Sequence, residues 1–229
     1  MLCTMLNSHP RILCHHEVFN PKGIRVALHL RPTDFSLGTM EEREADPVAF
    51  LDRIWSRCGA FPCVGFKFTH RQNARVFPVL LGDPDIAKIV LTRRNRLKAF
   101  VSSLIAEQLN EWEVYRQADL SRQRPRVAVD VDAFLDRVAF DDAYYTEIHG
   151  RLLATAQVFE EVAYEDLFDP AVHHRLVEFL GQRPTSTGLR IESVKQNATD
   201  LRQLVSNFEE VARRLNGTRF ANDPYSVEN

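Results

Sequence analysis

Three short runs rich in apolar residues alternate along this chain with segments of helical periodicity. The runs cover residues 63–68, 87–91 and 156–163, and each has the length of a strand buried in a parallel sheet. Apolar residues spaced three and four apart predict helices at 1–8, from Asn95 onward, and at 141–154, 170–180 and 198–215. Strands that alternate with helices predict an α/β fold, a doubly wound parallel sheet flanked by helices, with ligands at the carboxyl ends of the strands.

The length and composition of the chain indicate one soluble domain spanning residues 1–229. Hydrophobic residues make up 45% of the sequence and charged residues 26%, and the formal net charge is −2. This charge argues against a general surface for nucleic acid, and no apolar run approaches the roughly 18–20 residues that span a bilayer. The four cysteines form no C-x-x-C pair and no secretory signal precedes them, so we expect reduced thiols in a cytoplasmic protein. Polar or charged stretches at 20–47, 116–126 and 182–197 predict loops.

The junction at residues 88–96 is the most informative candidate site. It places Arg93 and Arg94 between a predicted strand and a helix that Asn95 can cap. Unpaired backbone N–H groups, the helix dipole and guanidinium donors would converge there, which favours a phosphate. Ser102 would lie on nearly the same helix face, about 12 Å from Arg94 along the axis at ~1.5 Å per residue, within partial reach of a long side chain. A solvated basic helix start remains the alternative.

Three further side chains are candidates for chemistry. Tyr164 follows a predicted strand, where its ring could contact a base or simply pack. Glu17 follows the run 11–14 and could accept a proton from a hydroxyl group, although a loop glutamate is more often only solvated. Lys67 is a charge within an apolar run, so it needs an anionic partner or an open sheet face. The nearby His and Cys residues lack the spacing of a zinc site, and we therefore expect no metal.

Motifs that would indicate other enzyme classes are absent from the sequence. It contains no G-x-G-x-x-G, no G-x-x-x-x-G-K-[ST] and no G-x-S-x-G. Simple dinucleotide enzymes, ordinary P-loop ATPases and serine hydrolases therefore receive no support.

Five segments, in order along the chain, resemble motifs of the PAPS-dependent sulfotransferases, in particular the bacterial nodulation-factor and carbohydrate sulfotransferases. Residues 2–10 resemble the family's helix ending in L-N-x-H-P, and residues 16–21 its H-x-E-x-F-N-P stretch. Arg94-Asn95 with Ser102 resembles R-N-x6-S, residues 164–167 match Y-E-D-L, and residues 195–197 are similar to a late basic loop. The R-N-x6-S and Y-E-D-L pair is the most specific part of the resemblance.

The resemblance implies a P-loop-like sheet and transfer of a sulfuryl group from PAPS to an acceptor hydroxyl or amine, which leaves PAP. It implies Glu17 as general base, Arg94 and Ser102 on the 3′-phosphate, Tyr164 beside the adenine, and Lys195 at the nucleotide edge. The acceptor could be a glycan, a lipid, a peptide or a small molecule.

One family feature is not found in this sequence. The family's first strand and 5′-phosphosulfate loop would precede Met1, so we expect them to be missing and activity to be in question. A non-catalytic nucleotide-binding or scaffold protein and a P-loop nucleotide kinase therefore remain alternatives.

Overall fold

The computed structural model describes residues 1–70, 72–112, 114–115, 124–186, 188–191, 197 and 200–226. These residues form a mixed α/β structure with eight α-helices and four short strands. Their contacts divide the chain into two compact units, which are described separately. Unit 1 comprises Met1–Val90, Ile148–Val162 and Asp166–Glu192, and unit 2 comprises Leu91–Glu147, Ala163–Glu165 and Ser193–Asn229. A single domain over residues 1–229 stays a prediction.

The helices and strands have the following bounds. The helices are α1 Leu2–Asn7, α2 Met40–Ala45, α3 Ala49–Ser56, α4 Val76–Gly82, α5 Arg96–Leu109, α6 Val131–Ala154, α7 Pro170–Phe179 and α8 Phe208–Leu215. The strands are β1 Ile12–His15, β2 Cys63–Phe66, β3 Lys88–Thr92 and β4 Phe159–Ala163.

The described strands form two short parallel pairs instead of one continuous sheet. β1 pairs with β2 in parallel, with Ile12 opposite Cys63 and His15 opposite Phe66, and β3 pairs with β4. The three predicted strands are confirmed: β2 and β4 are shorter than predicted, and β3 is shifted by one residue. The fully buried strand is β1, which the sequence did not predict, whereas β2 is only partly buried. The doubly wound P-loop-like sheet remains a prediction.

Most predicted helices exist, but several bounds differ. α1, α5 and α7 are confirmed, while α6 begins at Val131 instead of 141. α5 ends where Asn110 adopts a left-handed backbone with φ 52°, so Trp112 lies beyond the helix and is 62% exposed. The predicted loop 20–47 contains α2, which begins in a capping box between Thr39 and Glu42. α3 and α4 were not predicted.

Each unit has a hydrophobic cluster of its own. In unit 1, side chains of the turn after β1 pack with those of α3, including Phe19, Phe50 and Ile54. In unit 2, α5, α6 and α8 contribute to one cluster around Phe134, Val205 and Leu215. These clusters fix the ends of the elements that carry the candidate residues.

Candidate functional site

The start of α5 in unit 2 is formed as its sequence predicts. Asn95 adopts an extended backbone at the N-cap position, and its side-chain oxygen accepts a hydrogen bond from Lys98 N at 2.7 Å. The Asn95 amide nitrogen donates to the carbonyl of Asp223 at 3.0 Å, and the side chain is buried. Both ends of the Asn95 amide therefore hold this junction in place.

The backbone donors around the helix start are occupied by side chains of the protein itself. Glu165 accepts from Arg94 N at 3.1 and 3.2 Å and from Asn95 N at 3.2 Å. Asp223 accepts from Leu97 N at 3.0 Å through Oδ2. The expectation that unpaired N–H groups await a phosphate here is therefore wrong. An anion at this junction would have to be held by side chains such as the Arg94 guanidinium.

The carboxyl group of Asp223 is perturbed by this environment. Burial raises its pKa above the usual range, and the nearby Glu165 charge adds to the rise. Hydrogen bonds from the Leu97 and Arg96 backbone, together with the Arg96 charge, act in the opposite direction. Acidic side chains thus contribute substantially to the electrostatics of the helix start.

Tyr164 lies beside an arginine of the same junction. It begins the 3₁₀ turn Tyr164–Phe168 directly after β4, and the guanidinium of Arg93 lies 4.4 Å from the centre of its ring. This distance is typical of a cation–π contact. The structure therefore brings Arg93, one of the two arginines at this junction, together with the tyrosine that the sequence singled out separately.

Ser102 and Lys195 are the remaining candidate residues for nucleotide binding. Ser102 lies in the second turn of α5, and its hydroxyl accepts a hydrogen bond from Asn197 Nδ2 at 3.3 Å. Asn197 belongs to the same late segment as Lys195, and Lys195 lies outside the described residues. One member of the late segment thus reaches the helix that carries Ser102.

Glu17 in unit 1 belongs to a group of four polar side chains, which we call the Glu17 cluster: Glu17, Asn20, Lys67 and Gln72. Lys67 Nζ lies 2.6 Å from Glu17 Oε1. Asn20 Nδ2 donates to Oε2 at 2.7 Å, and Gln72 Nε2 donates to the same oxygen at 2.9 Å. The anionic partner that Lys67 requires is therefore Glu17, which the sequence did not connect to it.

The parallel register of β1 and β2 explains this arrangement. His15 and Phe66 are paired at the carboxyl ends of the strands, so the residues that follow them emerge at the same edge. Lys67 N also donates to the carbonyls of His15 and His16, each at 3.1 Å. The backbone thus places Lys67 next to the turn that begins with Glu17.

A buried arginine holds the turn that carries Glu17 and Asn20. Arg43 of α2 is 1% exposed, and its Nη1 donates to the carbonyls of Val18 at 2.8 Å and Asn20 at 3.0 Å. Its Nε and Nη2 donate to Glu44 at 2.9 and 2.7 Å, which balances the buried charge. Sequence reasoning missed Arg43, because its position in a helix of charged residues is typical of a solvated face.

The histidines and cysteines near this strand end are mainly buried. Burial lowers the pKa of His15 to about 4, with smaller effects of His29 and His16. A hydrogen bond from Cys14 lowers the pKa of Cys3 to about 7, while the same pairing raises the pKa of Cys14. All four cysteines are free thiols. No cluster of three or more metal-binding side chains occurs in the part of the chain that the structure describes.

Comparison of the chain with protein-family models, with curated proteins and with solved structures found no match. Within the described residues, no helix combines the length and apolar character needed to cross a membrane.

Proposed function

We propose that the chain is a PAPS-dependent sulfotransferase, which moves a sulfuryl group from PAPS to a hydroxyl or amine of an acceptor. The contact of Glu165 with the backbone of Arg94 and Asn95 carries the proposal. It joins the Y-E-D-L segment to the R-N-x6-S segment, although these lie 70 positions apart in sequence. These two segments are the ones expected to bind the same nucleotide.

The proposed nucleotide site uses side chains of unit 2. We assign Arg94 and Ser102 to the 3′-phosphate and Tyr164 to the adenine. Lys195, which lies outside the described residues, is a candidate for the nucleotide edge on its sequence alone. A guanidinium fork and a hydroxyl suit phosphate oxygens, and they do not depend on the backbone N–H groups that Glu165 and Asp223 already occupy. The residues present therefore fit the adenosine 3′-phosphate portion of the donor.

In the proposed reaction, the bond between sulfur and the bridging oxygen of the donor breaks, and the electron pair stays on the departing phosphate of PAP. The acceptor oxygen or nitrogen bonds to sulfur, and its proton passes to Glu17. Lys67 and the two amides orient the Glu17 carboxylate. Because the carboxylate is already held in place, less conformational entropy is lost when it reaches the reacting geometry.

The proposal also includes a P-loop-like doubly wound sheet, of which the parallel β1–β2 pair would be a part. It includes a cytoplasmic location, where the four free thiols would remain reduced.

The nucleotide assignment is tested by titration calorimetry with PAP and with 5′-AMP, which lacks the 3′-phosphate. We expect Arg94→Ala to weaken PAP binding by about 1.5–3 kcal/mol, the range for a hydrogen bond to a charged group, and to leave 5′-AMP binding nearly unchanged. Arg137→Ala on α6 is the matched control, because it removes an exposed arginine from the same unit. Equal affinity of the parent protein for PAP and 5′-AMP would exclude the proposed site.

Product formation separates the alternatives. Release of PAP from PAPS in the presence of glycan, phenol or amine acceptors supports sulfuryl transfer. Binding of PAP without release from PAPS indicates a non-catalytic nucleotide-binding protein. Phosphoryl transfer from ATP to a nucleotide would instead indicate a kinase.

A further inference from the structure

Glu165 links the strand that ends before Tyr164 to the start of α5. Its two carboxylate oxygens accept from Arg94 N, and Oε1 also accepts from Asn95 N. These N–H groups lie just before the first helical residue, Arg96, and helix starts leave such donors without intrahelical partners. The carboxylate therefore fixes the backbone from which the arginine side chains project.

The same contact couples the two halves of the proposed nucleotide site. Glu165 is adjacent to Tyr164 in sequence, and the Tyr164 ring packs against the Arg93 guanidinium at 4.4 Å. A change in the Glu165 carboxylate would therefore alter the turn that carries Arg93 and Arg94 relative to the tyrosine. The phosphate and adenine contacts would lose their fixed separation.

Two possible roles for Glu165 predict opposite effects of its removal on nucleotide affinity. If the carboxylate only occupied the place of a phosphate, its removal would strengthen nucleotide binding, because a competing negative charge would be lost. If it positions the arginines, its removal would weaken binding. The geometry favours the second role, because Glu165 binds backbone N–H groups whereas the proposed phosphate donors are the side chains of Arg94 and Ser102.

We propose that Glu165 is a positioning residue, which sets the orientation of Arg94 toward the 3′-phosphate without touching the nucleotide. The proposal rests on the proposed function, since it presumes that Arg94 binds the 3′-phosphate of PAP. It adds a residue that acts through the backbone and that carries the same charge as the ligand. Selectivity for the 3′-phosphate would thus depend on an acidic side chain.

The test is the ratio of the affinities for PAP and 5′-AMP, measured by calorimetry for the full chain. We expect Glu165→Ala to reduce this ratio about tenfold, within the range for residues that act on a site through a neighbour. We expect Glu165→Gln to reduce it less, because the amide keeps one acceptor oxygen for Arg94 N. A role limited to folding would lower the melting temperature and leave the ratio unchanged.

Glu209→Gln is the matched control, because it removes one exposed negative charge from α8 in the same unit. We expect this variant to keep the parent ratio. If Glu165→Ala does not fold, the Gln variant decides the outcome. An unchanged ratio, or tighter PAP binding, in a folded Glu165 variant overturns the positioning role alone. A parent protein that does not discriminate PAP from 5′-AMP overturns the proposed function as well.

Discussion

The two oxygens of the Glu17 carboxylate have different partners. Oε2 receives N–H donors from Asn20 and Gln72, which is the ordinary capacity of a carboxylate oxygen. Oε1 lies 2.6 Å from the Lys67 ammonium. We therefore expect the acceptor proton to arrive at Oε1, beside Lys67, while the two amides keep Oε2 in place.

Replacing Glu17 by glutamine tests this role. We expect Glu17→Gln to lower turnover by about 10²–10⁴-fold, the usual contribution of a general base, and to leave PAP affinity unchanged. Turnover is measured as PAP release at saturating PAPS, with an acceptor that the parent protein accepts. Glu41→Gln serves as control, since Glu41 is an exposed carboxylate of the same unit. Turnover within threefold of the parent would remove Glu17 from the mechanism.

The proposed nucleotide site requires that the first turn of α5 is formed. Asn95→Ala removes the hydrogen bond to Lys98 N and leaves the Asp223 carbonyl without its donor. We expect a loss of about 1–2 kcal/mol in the free energy of unfolding, as for other N-cap substitutions. Chemical denaturation measures the loss. Asn95→Ser keeps an acceptor oxygen and should lose less.

Asp169→Ala provides the comparison for Asn95→Ala, because Asp169 caps α7 in unit 1 through Ala171 N. Its cost should match that of an ordinary cap, and PAP affinity should not change. If Asn95→Ala proved as stable as the parent protein, the cap would contribute nothing to this junction.

Some elements follow from local pattern and others do not. Asn95 and the periodic residues after it predict α5 because the cap and the apolar stripe are both local in sequence. The apolar residues of 198–215 have helical spacing too, yet Val127 N donates to Leu204 O and Ser206 N donates to Val127 O. This pairing with a distant segment keeps residues 204–206 out of a helix. No local pattern contains that information.

At the scale of the whole molecule, the sequence singles out candidate residues, but it does not show which side chains contact them. Arg94 and Tyr164 were singled out by motif, and the structure places Arg93 against Tyr164. That Glu165 and Asp223 occupy the backbone donors depends on contacts between segments far apart in sequence. The pairing of Lys67 with Glu17 depends likewise on the register of two strands.

Sensitivity to acid is a property of the whole molecule, and the buried histidine His15 contributes to it. His15 Nδ1 accepts a hydrogen bond from Ala27 N at 3.2 Å, so protonation would break this bond and bury a charge. Its pKa is lowered from an ordinary value of 6.5 to about 4.

As the pH falls below 6.5, His15 is protonated in the unfolded chain before it is protonated in the folded protein. The contribution of His15 to the free energy of unfolding, which is present above pH 6.5, is therefore lost as the pH falls toward 4. The loss attributable to His15 is up to about 3 kcal/mol at ~1.36 kcal/mol per unit. We expect His15→Asn, which keeps an acceptor oxygen for Ala27 N, to be less stable at pH 7 but to lose less stability between pH 6.5 and 4. Urea denaturation at a series of pH values measures both effects. His174→Asn, at an exposed histidine of α7, should retain the parent's pH dependence. Equal losses in the parent and His15→Asn would show that other groups govern the acid sensitivity of the fold.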